Sequence, residues 1–237
     1  MIFLANGGQC YECQDQGICG SCERGLQVAR FERVAFVARR EREILDGAKL
    51  PERVADFTLA SYPSKRIPAY RQALDFVKQW DGHTGLILIG SYGHGKTGLL
   101  VSMLKAIATS YVDTPYRMWF LTGTALMDEL RQAIGREQQS RHDPSIETYS
   151  AVLDRAMRVR LLAIDDLGAE RSTDWVQERM FAIFNERYEH RLPTFTTTNF
   201  GLEQLATRLE SRVYERLLET SQVIEVEGEN LRLRGRK

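Results

Sequence analysis

Eight residues, Gly90-Ser91-Tyr92-Gly93-His94-Gly95-Lys96-Thr97, constrain this chain more than any other stretch, because they match G-x-x-x-x-G-K-[ST] at every fixed position. Such a loop uses glycine where the backbone turns its N–H groups onto phosphate oxygens. It uses lysine to reach the terminal phosphates and a hydroxyl to hold magnesium. The flanks agree with that reading. Leu86-Ile87-Leu88-Ile89 is a short apolar run suited to a strand buried on both faces, and Leu99, Leu100, Met103, Leu104 and Ile107 recur at helical spacing. A helix starting here turns its positive dipole end to the phosphates. Gly90, Gly93, His94, Gly95, Lys96, Thr97 and Gly98 are therefore the expected ligands of a nucleoside triphosphate and its Mg2+. A bare glycine turn between strand and helix is the alternative reading.

Strand-like and helix-like stretches then alternate. Met118–Leu121 reads as a strand, followed by a helix with Leu126, Met127, Leu130 and Ile134, and by an exposed polar loop over 136–145. Leu161–Ile164, Thr194–Thr198 and Val223–Val226 read as further strands, and Trp175–Tyr188 as a helix. The repetition predicts an α/β fold with a five-stranded parallel sheet between helices. Asp165 and Asp166 follow an apolar strand, where open α/β sheets bind ligands. Asp165 is expected to hold magnesium and Asp166 to orient the attacking water, unless the pair is only a strand-end cap or turn. Asn199 ends a β-prone run and can both donate and accept. It could sense the terminal phosphate and share a water with Asp166, or simply start a turn. Arg208, Arg212 and Arg216, spaced by four, fall on one helical face, which is either solvated or delivers an arginine to a neighbouring subunit's active site.

All four cysteines of the 237 residues lie at Cys10, Cys13, Cys19 and Cys22, as two Cys-x2-Cys knuckles. Each knuckle aims two sulfurs at one centre, which suits tetrahedral zinc. An iron–sulfur cluster uses the same ligands, and disulfides are disfavoured in a reducing compartment. The stretch from Leu26 to about Leu45 reads as a charged helix, either solvated or a partner-binding arm. Pro51, Pro63 and Pro68 punctuate the link to the larger domain, giving an expected division into residues 1–50 and 51–237. Lysine plus arginine and aspartate plus glutamate both number 32, so any nucleic-acid surface must be a local patch. No apolar run approaches membrane-spanning length, and a cytoplasmic protein is expected.

Taken together, these residues resemble the bacterial helicase loaders of the DnaC/DnaI type and the related IstB transposition helpers, which are AAA+ ATPases. The resemblance runs from about Pro51 to Arg232 and is carried by Gly90–Thr97, Phe120-Leu121-Thr122, Leu126–Arg131, Leu161–Gly168, Thr197–Phe200, Glu210–Leu217 and Val223–Arg232. It implies that Lys96 and Thr97 form Walker A, Asp165 and Asp166 Walker B, Asn199 sensor 1, and Arg216 the arginine finger, with Arg212 as second candidate. Two departures stand out. Asp166 occupies a position where many AAA+ enzymes carry glutamate, and too little sequence follows Asn199 for a full helical lid domain. The cysteine-rich start is similar to the N-terminal metal module of such loaders. The implied activity is ATP-driven loading of a hexameric replicative helicase onto single-stranded DNA by an ATP-dependent homo-oligomer. Assembly on duplex DNA as a transposition helper is the alternative, and a non-enzymatic zinc adaptor is a third.

Overall fold

The computed structural model describes residues 20–63, 65, 67–114, 116–136, 143, 146–228 and 230–231, with side chains from residue 32 onward. The chain divides into two compact units, residues 1–43 and 44–237. The described part of the first is helical and belongs to α1 (Gly20–Ala48), longer at both ends than its apolar pattern predicted. There Arg39 and Arg40 pair with Glu43, and Arg33 and Arg39 flank the Phe36 ring, so the alternating charges are used locally. Cys10, Cys13 and Cys19 lie outside the described residues. The backbone of Cys22 belongs to α1, but its side chain lies outside them as well. Among the described residues no cluster of His, Cys, Asp or Glu could hold a metal ion by itself, and no helix is long and apolar enough to cross a membrane.

The second unit continues with α2 (Glu52–Ala55), α3 (Pro68–Gln79), β1 (Gly85–Ile89), α4 (Lys96–Ser110), β2 (Met118–Thr122) and α5 (Gly123–Gly135). Next come α6 (Tyr149–Arg158), β3 (Leu161–Asp165), α7 (Asp174–Glu189), β4 (Thr194–Thr198), α8 (Leu202–Arg208), α9 (Ser211–Thr220) and β5 (Ser221–Glu225). The five strands form one sheet in the order β2-β3-β4-β1-β5, every pair parallel. Its two faces follow from the period-2 alternation of side chains. Leu86, Leu88, Phe120, Leu161, Ala163 and Phe195 point to the layer formed with α3 and α4. Ile87, Trp119, Leu121, Leu162 and Ile164 point to the layer formed with α5, α6, α7 and α9. Both faces are covered, which explains why these strands are apolar throughout.

Strand β4 is the exception in composition, Thr-Phe-Thr-Thr-Thr, yet all five residues are buried. Each hydroxyl has a partner. Thr194 accepts from Arg187 Nε at 2.8 Å, Thr196 donates to the Leu86 carbonyl at 3.3 Å, and Thr198 donates to the Leu167 carbonyl at 2.9 Å. Thr197 donates to Asp165 at 2.6 Å. Threonine keeps the β-branched shape a buried strand packs well while fixing the loop beside it.

Several features were not legible as predicted. The last strand is Ser221–Glu225, two residues earlier than its apolar pattern suggested, and Val226 follows it with its N–H on the Ile89 carbonyl at 2.7 Å. Helix α6 was not anticipated, nor was α3, which starts at the last of the prolines read as a link. Of the polar stretch 136–145, Arg136 closes α5 and Asp143 is exposed, and the remainder lies outside the described residues.

Candidate nucleotide site

The phosphate loop, the end of β3 and the end of β4 meet because β1, β4 and β3 are successive neighbours, so their carboxyl ends lie side by side. Gly93 and Gly95 hold φ of 83° and 89°, the left-handed conformation that glycine adopts without strain. The loop is also hemmed in: a Cβ at Gly93 would stand 2.2 Å from the Asn230 side chain. Lys96 is 5% exposed, and its ammonium donates to the carbonyls of Gly90 at 2.8 Å and Ser91 at 3.0 Å and to Asn199 Oδ1 at 2.6 Å. Thr97 Oγ1 lies 3.0 Å from both carboxylate oxygens of Asp165. A hydroxyl and a carboxylate so paired beside a phosphate-binding lysine are the donor set Mg2+ takes together with phosphate oxygens.

Asn199 bridges the two halves. Its Oδ1 receives the Lys96 bond, and its Nδ2 donates to Asp166 Oδ1 at 2.8 Å. The expected closeness of Asn199 and Asp166 takes the form of this direct hydrogen bond between the two side chains. Asp166 sits at φ 56°, an uncommon conformation for a residue with a side chain. It is over-determined by Thr197 Oγ1 on its N–H at 3.0 Å and by the Leu167 N–H on the Thr197 carbonyl at 2.8 Å.

Burial pushes the Asp165 carboxyl above the ordinary carboxylate range. The Thr197 hydroxyl opposes this, the Asp166 charge adds to it, and Thr97 and Arg53 pull back. The folded chain therefore holds this proton to a higher pH than the unfolded chain. The group's contribution to stability falls as pH rises from the ordinary carboxylate value to the raised one, and it stays low above that. Asp165→Asn should accordingly raise the Tm of the nucleotide-free protein at neutral pH, by roughly 2–4 °C per kcal/mol of relief, while removing Mg2+-dependent nucleotide binding. Thermal unfolding with and without Mg2+ and ATP checks both, and an unchanged or lower Tm without ligand would show that the buried charge is not a strain on the fold.

Several contributors escaped the sequence reading. A cavity of about 360 Å³ opens at the loop, walled by Val54, Phe57, Pro63 and Leu231 and carrying Arg53 beside Lys96. Val226 and Leu231 strap the loop: the Leu231 N–H meets the Gly93 carbonyl at 2.8 Å, and a His94 ring nitrogen lies 3.3 Å from the Val226 carbonyl. Glu170 accepts from the Gly168 N–H at 3.1 Å, and its carboxylate packs on Gly123 at the start of α5, where a Cβ would stand 2.4 Å away. Only the threonine run hinted at any of this, since a fully buried strand made of hydroxyls implies buried partners.

The arginine stripe is broken. Leu209, buried and extended, interrupts the helix, so Arg208 ends α8 whereas Arg212 and Arg216 belong to α9. Arg208 stacks 3.8 Å from the Phe200 ring centre and donates to the Gly168 carbonyl at 3.2 Å. Arg216 is hydrogen-bonded to Asn185 and lies over Phe181 and Tyr188, while Arg212, 62% exposed, rests over Phe181 beside Glu210.

Residues 19–237 match the family described as IstB-like ATP binding protein. Over 183 residues the chain is 26% identical to the replicative helicase loader DnaI of Bacillus subtilis, covering 70% of the chain and 54% of the loader, so it spans about half that relative's length. It is 25% identical over 190 residues to an ATP-binding protein of insertion sequence IS21 from Pseudomonas aeruginosa, with 77% of the chain and 64% of that protein covered. The crystal structure of the DnaC helicase loader superposes with a TM-score of 0.60 at 27% identity, over 75% of this chain and all of that one.

Proposed function

The chain belongs to the IstB-like ATP-binding protein family, and on that footing we propose that it hydrolyses ATP as an assembly and release switch while loading a hexameric replicative helicase onto single-stranded DNA. The AAA+ type of P-loop fold and ATP binding come with the family. Hydrolysis, helicase and DNA are the proposal. The observation that carries it is the chain of contacts Lys96–Asn199–Asp166, with Thr97 on Asp165 beside it. This is a complete set for phosphoryl transfer, within a core that superposes on the whole of a solved helicase loader.

In this reading Lys96 exchanges the Gly90 and Ser91 carbonyls for phosphate oxygens. Thr97 and Asp165 hold Mg2+, which when bound neutralises charge on the phosphates. Asn199, freed from Lys96, keeps its grip on Asp166 and reports the terminal phosphate. Asp166 accepts a proton from the attacking water. Arg212, exposed and anchored on Phe181, is the better candidate to reach a neighbouring copy's nucleotide, because Arg216 is engaged by Asn185 and Tyr188 within its own chain. Cys10, Cys13, Cys19 and Cys22 would hold about one zinc per chain, in a module that grips the helicase.

The test measures ATP turnover and complex size with a hexameric replicative helicase, with single-stranded or duplex DNA. Stimulation by single strands and an ATP-dependent complex with the helicase are expected. The match to the IstB family and to the IS21 protein favours a second reading, a transposition helper, and stimulation by duplex DNA alone, with no helicase complex, would establish it in place of the first. A subunit-mixing experiment tests the finger. Arg212→Ala should bind ATP normally and turn over at least tenfold more slowly, and Lys96→Ala subunits, inactive themselves, should restore its rate by lending an intact arginine. Wild-type turnover by Arg212→Ala would return that residue to the solvated surface.

A further inference from the structure

Arg53 belongs to no motif, yet among the described residues lining the nucleotide cavity it and Lys96 are the two cations. Its guanidinium lies 4.0 Å from Asp165 Oδ2, and the two partners differ sharply in exposure: the arginine side chain is 58% exposed, the carboxylate side chain 2%. A buried carboxylate with a second one next to it in sequence has a strong need for positive charge. Among the described residues, Arg53 supplies it from the open side, while Thr97 and Thr197 supply hydroxyls from within.

The backbone beneath Arg53 is fixed. Val54 is buried in the core, the Phe57 N–H returns to the Val54 carbonyl at 3.0 Å, and Lys105 of α4 is hydrogen-bonded to the Ala55 carbonyl. The Phe57 ring presses so closely on α4 that a Cβ at Gly98 would stand 2.7 Å from it. A rigid base therefore carries a long, exposed, permanently charged side chain at the mouth of the cavity. Held this way, a planar guanidinium loses little freedom when it exchanges one anion for another.

We propose that Arg53 is a nucleotide ligand that guards the metal carboxylate in the empty protein and transfers to the polyphosphate of the nucleotide when the site fills. This rests on the reading of Lys96, Thr97 and Asp165 as the ATP·Mg2+ site. Asp165, once it serves as a ligand to a divalent cation, no longer needs the guanidinium. The polyphosphate carries more negative charge than Lys96 alone offsets, and arginine can offer it two parallel N–H donors. The side chain thus provides from α2 a cation on the same chain as the nucleotide, apart from any arginine lent by a neighbour.

The experiment compares the full-length protein with Arg53→Ala, Arg53→Lys and Lys96→Ala, and reads two quantities that should move in opposite directions. Titration calorimetry with ATP and with ADP in saturating Mg2+ should show Arg53→Ala binding ATP about tenfold more weakly, ADP less affected, and Arg53→Lys in between. Electron paramagnetic resonance titration with Mn2+ and no nucleotide should show Arg53→Ala binding the metal several-fold more tightly, because the competing guanidinium is gone. Unchanged ATP affinity in Arg53→Ala, alongside its loss in Lys96→Ala, would overturn the proposal and leave the nucleotide site standing. Weaker binding of both ATP and Mn2+ would overturn it too, since it would make Arg53 a mere brace for Asp165. Failure of the unmodified protein to bind ATP would overturn the underlying site reading instead.

Discussion

Lys96→Ala is expected to lower ATP affinity by at least a hundredfold, to the point where binding is no longer measurable at micromolar protein. The Lys96 side chain is 5% exposed, and among the described residues its ammonium donates to the Gly90 and Ser91 carbonyls of the loop and to Asn199, which holds it over the proposed phosphate site. Its loss removes a nearly buried positive charge that would offset the terminal phosphates, and a charge so placed is screened less than one in open water. It also frees Asn199 Oδ1 and leaves the Nδ2 bond to Asp166 in place. Titration calorimetry checks the affinity, and retention of affinity within threefold would refute the assignment of the loop. Asp166→Asn gives the contrasting result. Binding persists, because Thr97 and Asp165 are intact, while single-turnover hydrolysis falls on the order of a hundredfold as the water loses its proton acceptor.

The second large effect lies at the opposite ends of the strands. Arg187 is 1% exposed and donates to the carbonyls of Ala156 at 3.0 Å, Met157 at 3.3 Å, Val159 at 2.9 Å and Pro193 at 2.6 Å, and to Thr194 Oγ1 at 2.8 Å. Burial pulls its pKa down to about 9. Even so the side chain stays charged at neutral pH, because each of its three nitrogens donates to an oxygen and the carbonyls point their negative ends at it. One side chain thus ties the end of α6, the turn into β3 and the turn into β4 to α7. Arg187→Met keeps the stem but takes this donor from the carbonyls of Ala156, Met157 and Val159 and from the Thr194 hydroxyl, while Pro193 retains only the Leu162 N–H, with an expected loss of about 3–5 kcal/mol of stability. Denaturant unfolding measures it, and a loss below about 1 kcal/mol would show that water replaces the guanidinium. Nucleotide affinity of the surviving folded fraction should be unchanged, since Thr194 opens β4 and the site lies beyond its far end, about 15 Å away at strand rise.

Much of the core was legible because local chemistry dictated it. Leu86–Ile89, Met118–Leu121 and Leu161–Ile164 had to be doubly buried strands, and Gly90–Thr97 had to turn backbone donors onto an anion, whatever the rest of the chain did. Asp165, Asp166 and Asn199 were legible as strand-end polar groups. That Asn199 would touch both Lys96 and Asp166 was not, because adjacency of β1, β4 and β3 is a property of strand order and leaves no local trace. Arg53 and Glu170 escaped for the same reason: each acts on a residue far away in sequence from a short segment with no periodicity. The arginine spacing misled because periodicity of charge cannot reveal a break, and Leu209 ends the helix by burying itself in the core. Sequence alone did not separate Arg212 from Arg216 either, since the difference lies in Asn185 and Tyr188 on a different helix.

The order of the strands also governs when the site can exist. Strand β1, which carries the phosphate loop, has no neighbour close in sequence; it is paired by β4, with Leu86 opposite Phe195, and by β5, with Leu86 opposite Gln222. A ribosome that has released only the first 190 residues has made the loop but neither of the strands that hold it, and Val226 and Leu231, which strap it, come later still. Such long-range closures are slow. The nucleotide pocket therefore cannot mature before β4 and β5 have joined β1, and ATP, which recognises only the finished arrangement, favours the folded state by mass action.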